Sequence, residues 1–144
     1  MYREKTITEL KEDLREGKVT ADELYAKATR LDQYFQEDYN SFVTILDKFK
    51  SKDSDSILNG IPYSLKDNFS TSNILTTASS NILKDYVPVY DATVYKKLKS
   101  AGGVLVGKTV LDELAMGGTG TTGHLGITYN PYDPTHTYMV GGSS

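Results

Sequence analysis

Between Gly60 and Asn68 the chain reads Gly-Ile-Pro-Tyr-Ser-Leu-Lys-Asp-Asn, an apolar run that predicts a short buried strand and closes it on a lysine, Lys66. Few side chains constrain a fold more than a lysine set at the end of a buried strand. One reading lets its head reach water from the strand end, with the aliphatic stem lying on apolar surface. The other keeps it buried, which disfavours the ammonium, lowers the pKa and makes a general base that is neutral near pH 7. A second stretch bears on the choice. Gly141-Gly142-Ser143-Ser144 is a glycine-rich loop carrying two serines. Alone it reads as readily as a linker or an expression scar; beside a base lysine it suggests acyl transfer.

The rest of the chain alternates helical and strand patterns. Thr6-Ile7-Thr8-Glu9 has the form of a capping box, with Ile7, Leu10 and Leu14 at helical spacing before Gly17. Thr20-Ala21-Asp22-Glu23 repeats the cap, followed by Leu24, Ala28 and Leu31, with Tyr34 and Phe35 extending the apolar surface. A helix hairpin over 1–40 therefore precedes an α/β core over 41–144. Ser41 to Leu46 predicts a strand, Lys50 to Ser56 an exposed loop, and Ser70 to Ser80 a polar connection. Asp91-Ala92-Thr93 predicts the cap of a helix with Val94, Leu98 and Ala101 on its buried face, ended by Gly102-Gly103. Val104-Leu105-Val106 then predicts a second buried strand, and Leu111 to Met116 a second short helix closed by Gly117-Gly118. Strands alternating with helices imply a sheet between helical layers. From Gly117 to Ser144, Gly, Thr, Tyr and Pro dominate with hardly any period, as in functional or disordered loops.

Composition excludes several classes. A length of 144 residues with 38% hydrophobic side chains supports a core, while a net charge of −3 gives no overall bias toward nucleic acid or membrane. Without cysteine there are no disulfides, thiolate nucleophiles or Cys-based zinc sites, which is compatible with a reducing, cytoplasmic setting. His124 and His136 lie in loops without metal-site spacing, so no metal is expected. The N-terminus leads into a charged amphipathic helix instead of a secretory signal, and no run reaches membrane-spanning length.

Gly102 to Thr109 fits the phosphate-loop pattern Gly-x4-Gly-Lys-Thr, which would make the protein an NTPase. Its context differs: a phosphate loop follows a strand and wraps the anion with backbone amides at a helix N-terminus, whereas Val-Leu-Val is here the strand itself. Lys108 is then expected as a strand-end lysine with a solvated head, and Thr109 as the cap of the following helix.

Taken in order, these motifs resemble the amidase signature family over nearly the whole chain. The matching pieces are the helix pair with its Gly17-Lys18-Val19-Thr20 turn, Gly60-Ile61-Pro62 through Lys66-Asp67-Asn68, and Val87 through Val94. They continue with Leu98 through Gly102, Gly107-Lys108-Thr109, Asp112 through Gly117, Asn130-Pro131 and Gly141-Gly142-Ser143-Ser144. Tyr90-Asp91-Ala92-Thr93-Val94 and Asp112-Glu113-Leu114-Ala115-Met116-Gly117 favour its tRNA-dependent branch, the glutamine-hydrolysing subunits of glutamyl-tRNA(Gln) amidotransferases. Two departures stand out: Val140 replaces the usual proline before the Gly-Gly-Ser-Ser loop, and Asp133 to Gly141 is slightly long.

The resemblance implies an α/β/α sandwich with a mixed sheet and a Ser-Ser-Lys arrangement. Lys66 matches the lysine base, Ser143 the bridging serine with its cis peptide, and Ser144 the serine supporting the network; Met116 and Gly117 match substrate-binding positions. The nucleophile is expected beyond Ser144, which makes these residues the N-terminal part of a longer subunit, inactive alone, with unpaired sheet edges and Val104-Leu105-Val106 partly uncovered. The implied activity is hydrolysis of glutamine to ammonia for converting Glu-tRNA(Gln) to Gln-tRNA(Gln). The implied partners are a B subunit that uses ATP and Mg²⁺ and contacts tRNA, and a small C subunit. A stand-alone amidase, a binding module and the NTPase are the alternatives.

Overall fold

The computed structural model describes residues 4–47, 55–136 and 140, with residues 31–35 described through their backbone alone. The loop expected from Lys50 to Ser56 falls largely outside these residues.

Both predicted capping boxes are present. Helix α1 (Ile7–Arg15) starts at Thr6, whose hydroxyl accepts from the Glu9 amide while the Glu9 carboxylate accepts from the Thr6 amide. Helix α2 (Ala21–Tyr39) starts at Thr20 with the same exchange to Glu23. Two orphan amide donors are thereby satisfied at each start. Asn40 ends α2 in the left-handed conformation, and its side-chain amide donates to the carbonyls of Leu125 and Ile127.

Three strands follow: β1 (Phe42–Ile45), β2 (Pro62–Lys66) and β3 (Val104–Thr109). Their order is β1-β3-β2, with β1 antiparallel and β2 parallel to the central β3. The ladder pairs Lys66 with Thr109 at the end of β2 and Phe42 with Thr109 across the other edge. β3 is central because Val104, Leu105 and Val106 form an unbroken apolar run suited to cover on both faces. The expectation that this run stays partly uncovered is not met. All three side chains are buried, Val104 and Val106 packing with Tyr25 and Ala28 of α2.

Helix α3 (Thr93–Ser100) carries the chain from β2 back to β3. Its N-cap is Ala92, which makes no side-chain cap bond. Asp91 accepts instead from the Ser72 amide at 2.7 Å, tying the helix start to the connection after β2. The expected buried face is also rotated: Val94 is 45% exposed, and Tyr95 and Leu98 are the half-buried positions.

The larger correction lies after β3. Leu111 to Met116 does not form an α-helix, and Thr109 caps nothing. Only a 3-10 turn over Glu113–Ala115 is present, with Leu114 and Ala115 at φ of 55° and 61°. Leu111 and Asp112 are drawn inward instead, the Leu114 amide donating to the Ala78 carbonyl of another loop. Among the described residues no helix is long and apolar enough to cross a membrane.

Candidate active site

Lys66 is the last residue of β2, half-buried, at the sheet end from which the 67–92 connection departs. The side chain next to it turns the other way and is fully enclosed. Asp67 presents one carboxylate oxygen to the Thr77 amide at 2.8 Å and the Thr77 hydroxyl at 2.7 Å. Its other oxygen lies 3.2 Å from the ammonium of Lys108.

Lys108 overturns the solvated-head expectation: its side chain is 0% exposed. Its nitrogen donates to the Phe69 carbonyl at 3.0 Å, the Thr71 hydroxyl at 3.1 Å and the Thr76 hydroxyl at 2.9 Å. Burial pushes its pKa down, opposed by the Asp67 carboxylate. Three acceptors account for the three protons of an ammonium, so Asp67 meets Lys108 through charge without a directed hydrogen bond. Because Gly107, Lys108 and Thr109 belong to the central strand, the phosphate-loop reading fails: this lysine cannot meet a solvent-borne phosphate.

The polar connection Ser70 to Ser80 is therefore an interior element. Thr71, Thr76, Thr77, Ser79 and Ser80 are all buried. The Ser79 hydroxyl accepts from the Leu111 amide at 3.0 Å, the Ser79 carbonyl from the His124 amide at 2.9 Å, and the Ser80 hydroxyl donates to Glu113 at 2.7 Å. Ala78 and Ser79 both hold positive φ, 49° and 50°, a conformation that a non-glycine residue keeps only where its surroundings enforce it. These bonds clamp the connection after Lys66 to the segment that leads to Met116 and Gly117.

That segment is organised by Asp112. Its carboxylate, 0% exposed, accepts from the amides of Thr119, Gly120, Thr121 and Thr122 at 2.9–3.1 Å and from the Thr122 hydroxyl at 3.0 Å. These donors hold its pKa down to about 2. Met116 projects outward at 83% exposure, and Gly117 passes so close that a Cβ there would lie 2.4 Å from the Asp112 carboxyl carbon. Ser143 and Ser144 lie outside the described residues, so of the expected site Lys66, Met116 and Gly117 are the positions described.

Three residues of this network, Asp67, Lys108 and Asp112, escaped the sequence reading as functional positions. For Asp112 a signal was present: an aspartate just ahead of a Gly/Thr-rich loop is a ready acceptor for that loop's amides. For Lys108 the Gly-Lys-Thr pattern pointed toward solvent, and its partner, Asp67, lies in the turn that follows β2.

A family model described as Amidase matches residues 14–144. The chain belongs to the amidase family. This amidase chain is 43% identical over 148 residues to the glutamyl-tRNA(Gln) amidotransferase A subunit of Oenococcus oeni, covering 96% of this chain and 30% of that protein. It is 42% identical over 153 residues to the protein of the same name from Streptococcus pneumoniae (strain Hungary19A-6), covering 99% and 31%. The chain thus spans under a third of the length of these relatives. Among solved structures, the glutamyl-tRNA(Gln) amidotransferase A subunit from Thermotoga maritima superposes with a TM-score of 0.80 at 34% identity, covering 100% of this chain and 30% of that one. The 6-aminohexanoate cyclic dimer hydrolase superposes with a TM-score of 0.81 at 29% identity, covering 96% and 30%. The α/β fold of the amidase chain, with its small mixed sheet, is the N-terminal part of the amidase signature fold.

Proposed function

We propose that the protein carrying this chain is the glutamine-hydrolysing component of a tRNA-dependent amidotransferase. The reading rests chiefly on the similarity to glutamyl-tRNA(Gln) amidotransferase A subunits across 96–99% of the chain. In the proposed mechanism Lys66 accepts the proton of Ser143, and Ser143 accepts the proton of a serine nucleophile that is none of these 144 residues. Ser144 supports that relay. The nucleophile attacks the side-chain carbonyl of glutamine, the C–N bond breaks, and the nitrogen leaves as ammonia once reprotonated. Water then hydrolyses the acyl-enzyme to glutamate. Met116 and Gly117 contribute to the glutamine site. Ammonia passes to a partner B subunit that activates Glu-tRNA(Gln) with ATP and Mg²⁺, and a C subunit braces the assembly in the cytoplasm.

The experiment is glutamine-dependent ammonia release by the full-length protein and its Lys66→Ala variant, with copurification of B and C partners followed alongside. Turnover lost in the variant and partners retained is the expected result. A second reading, a stand-alone amidase, is favoured by the likeness to 6-aminohexanoate cyclic dimer hydrolase. Hydrolysis of other amides by a protein that purifies without partners selects it.

A further inference from the structure

Asp112 holds more of its surroundings than any other carboxylate among the described residues, and the matched serines and lysine leave it without a role. Its two oxygens divide the work: Oδ2 accepts from Thr119 and Gly120, Oδ1 from Thr121, from Thr122 and from the Thr122 hydroxyl. Four successive amides converge on one buried anion, so the shape of the 119–122 loop is templated by the carboxylate, in the way backbone nests bind anions. Between anion and loop the chain makes a tight excursion through Leu114 and Ala115, both at positive φ, to exposed Met116 and Gly117. Gly117 admits no side chain because Asp112 fills the space. Asp112 is also linked to the base: the neighbouring Leu111 amide bonds Ser79, the Ser79 amide donates to the Thr77 hydroxyl, and Thr77 binds Asp67, next to Lys66.

We infer that Asp112 is a positioning residue for glutamine binding: its carboxylate sets the placement of the Met116–Gly117 edge relative to the strand end that carries Lys66. The inference rests on the proposed glutaminase reading. Asparagine has the same shape but one acceptor oxygen, and its NH₂ group would face two amide donors.

Three measurements on the full-length protein in its complex separate the possibilities. In Asp112→Asn the amides of 119–122 should lose hydrogen-exchange protection while those of β2 and β3 keep it. The KM for glutamine should rise roughly ten- to hundredfold, as expected when a binding edge shifts by about an ångström. Amidation driven by ammonium chloride, which bypasses glutamine hydrolysis, should stay within twofold of the parent. Retained protection, or an unchanged glutamine KM, overturns the inference. An equal loss of glutamine- and ammonia-driven amidation also overturns it, since that marks a purely structural role. Should Asp112→Asn fail to fold, Thr122→Val, which removes a hydroxyl donor to the same carboxylate at a position outside the glutamine site, must show the same glutamine-specific defect, and a normal KM in it overturns the inference. If the parent hydrolyses no glutamine, the proposed function fails and the inference fails with it; the exchange measurement still shows whether Asp112 holds the loop.

Discussion

Two buried charges of opposite sign, Asp67 and Lys108, sit side by side with neither exposed to solvent. Their attraction offsets a large desolvation cost only because each keeps further partners, Thr77 for the carboxylate and Phe69, Thr71 and Thr76 for the ammonium. Lys108→Met strands the carboxylate and should cost about 3–5 kcal/mol, measured by chemical denaturation. Adding Asp67→Asn should recover part of the loss; no recovery would separate the two groups energetically. Asp112 leads to a different test. Its pKa falls from an ordinary 3.8 to about 2 on folding. The lowered value belongs to the folded state, so its stabilisation is complete above about pH 4 and is lost as pH falls through about 2. The denaturation midpoint of the parent should therefore drop across that interval more steeply than that of Asp112→Asn. Parallel profiles would contradict the ionised cage. Lys66, at the strand end, supplies the base in the proposed mechanism, so Lys66→Ala should abolish glutamine turnover in a protein that still folds, as circular dichroism would show. Activity within a few-fold of the parent removes it from the mechanism.

Elements differ in how far the sequence exposes them. α1 and α2 were legible because a capping box is local: donor and acceptor lie three residues apart, and the pattern needs nothing from elsewhere. The strands were legible as apolar runs. The segment 111–116 was not, since its apolar spacing is helical while its actual partners, Ala78, Ser79 and Thr119 to Thr122, come from other loops. The same holds for Lys108, whose neighbours appear only once β2 and β3 are paired. Lys66 stood out as a lysine closing an apolar run, whereas Met116 and Gly117 could be named only by resemblance; no local pattern brings a strand end and a glycine turn together. Within the sheet, Gly107 faces Phe42 and the Thr44 carbonyl across the irregular β1–β3 register, and an added Cβ would lie 2.6 Å from that oxygen. Backbone cannot retreat as a flexible side chain can. Gly107→Ala should destabilise by about 1–3 kcal/mol and lower the melting temperature, with the loss traced to β1 by amide exchange.

For the whole molecule, the segment from Gly117 to His136 differs from the loosely ordered loop that its composition suggested. Asp112 at one end and Asn40 of α2 at the other hold it through backbone hydrogen bonds, and Thr128 returns a bond to the Asn40 carbonyl at 2.9 Å. Polar side chains do here what a low apolar content cannot. In the proposed mechanism these 144 residues carry base and bridging serine without a nucleophile, so the isolated polypeptide should release no ammonia from glutamine above a heat-inactivated control. Measurable release would place a nucleophile among them.

The strand order carries a consequence for synthesis. β3 lies between β1 and β2, yet it is the last of the three to leave the ribosome. Until residue 109 has emerged, β1 and β2 have no common partner and Asp67 has no counter-ion. The base-bearing strand thus waits, half made, for the chain that completes it. A pause in translation shortly before Val104 would hold the nascent chain in its most aggregation-prone state, and one just after Thr109 would let the sheet close.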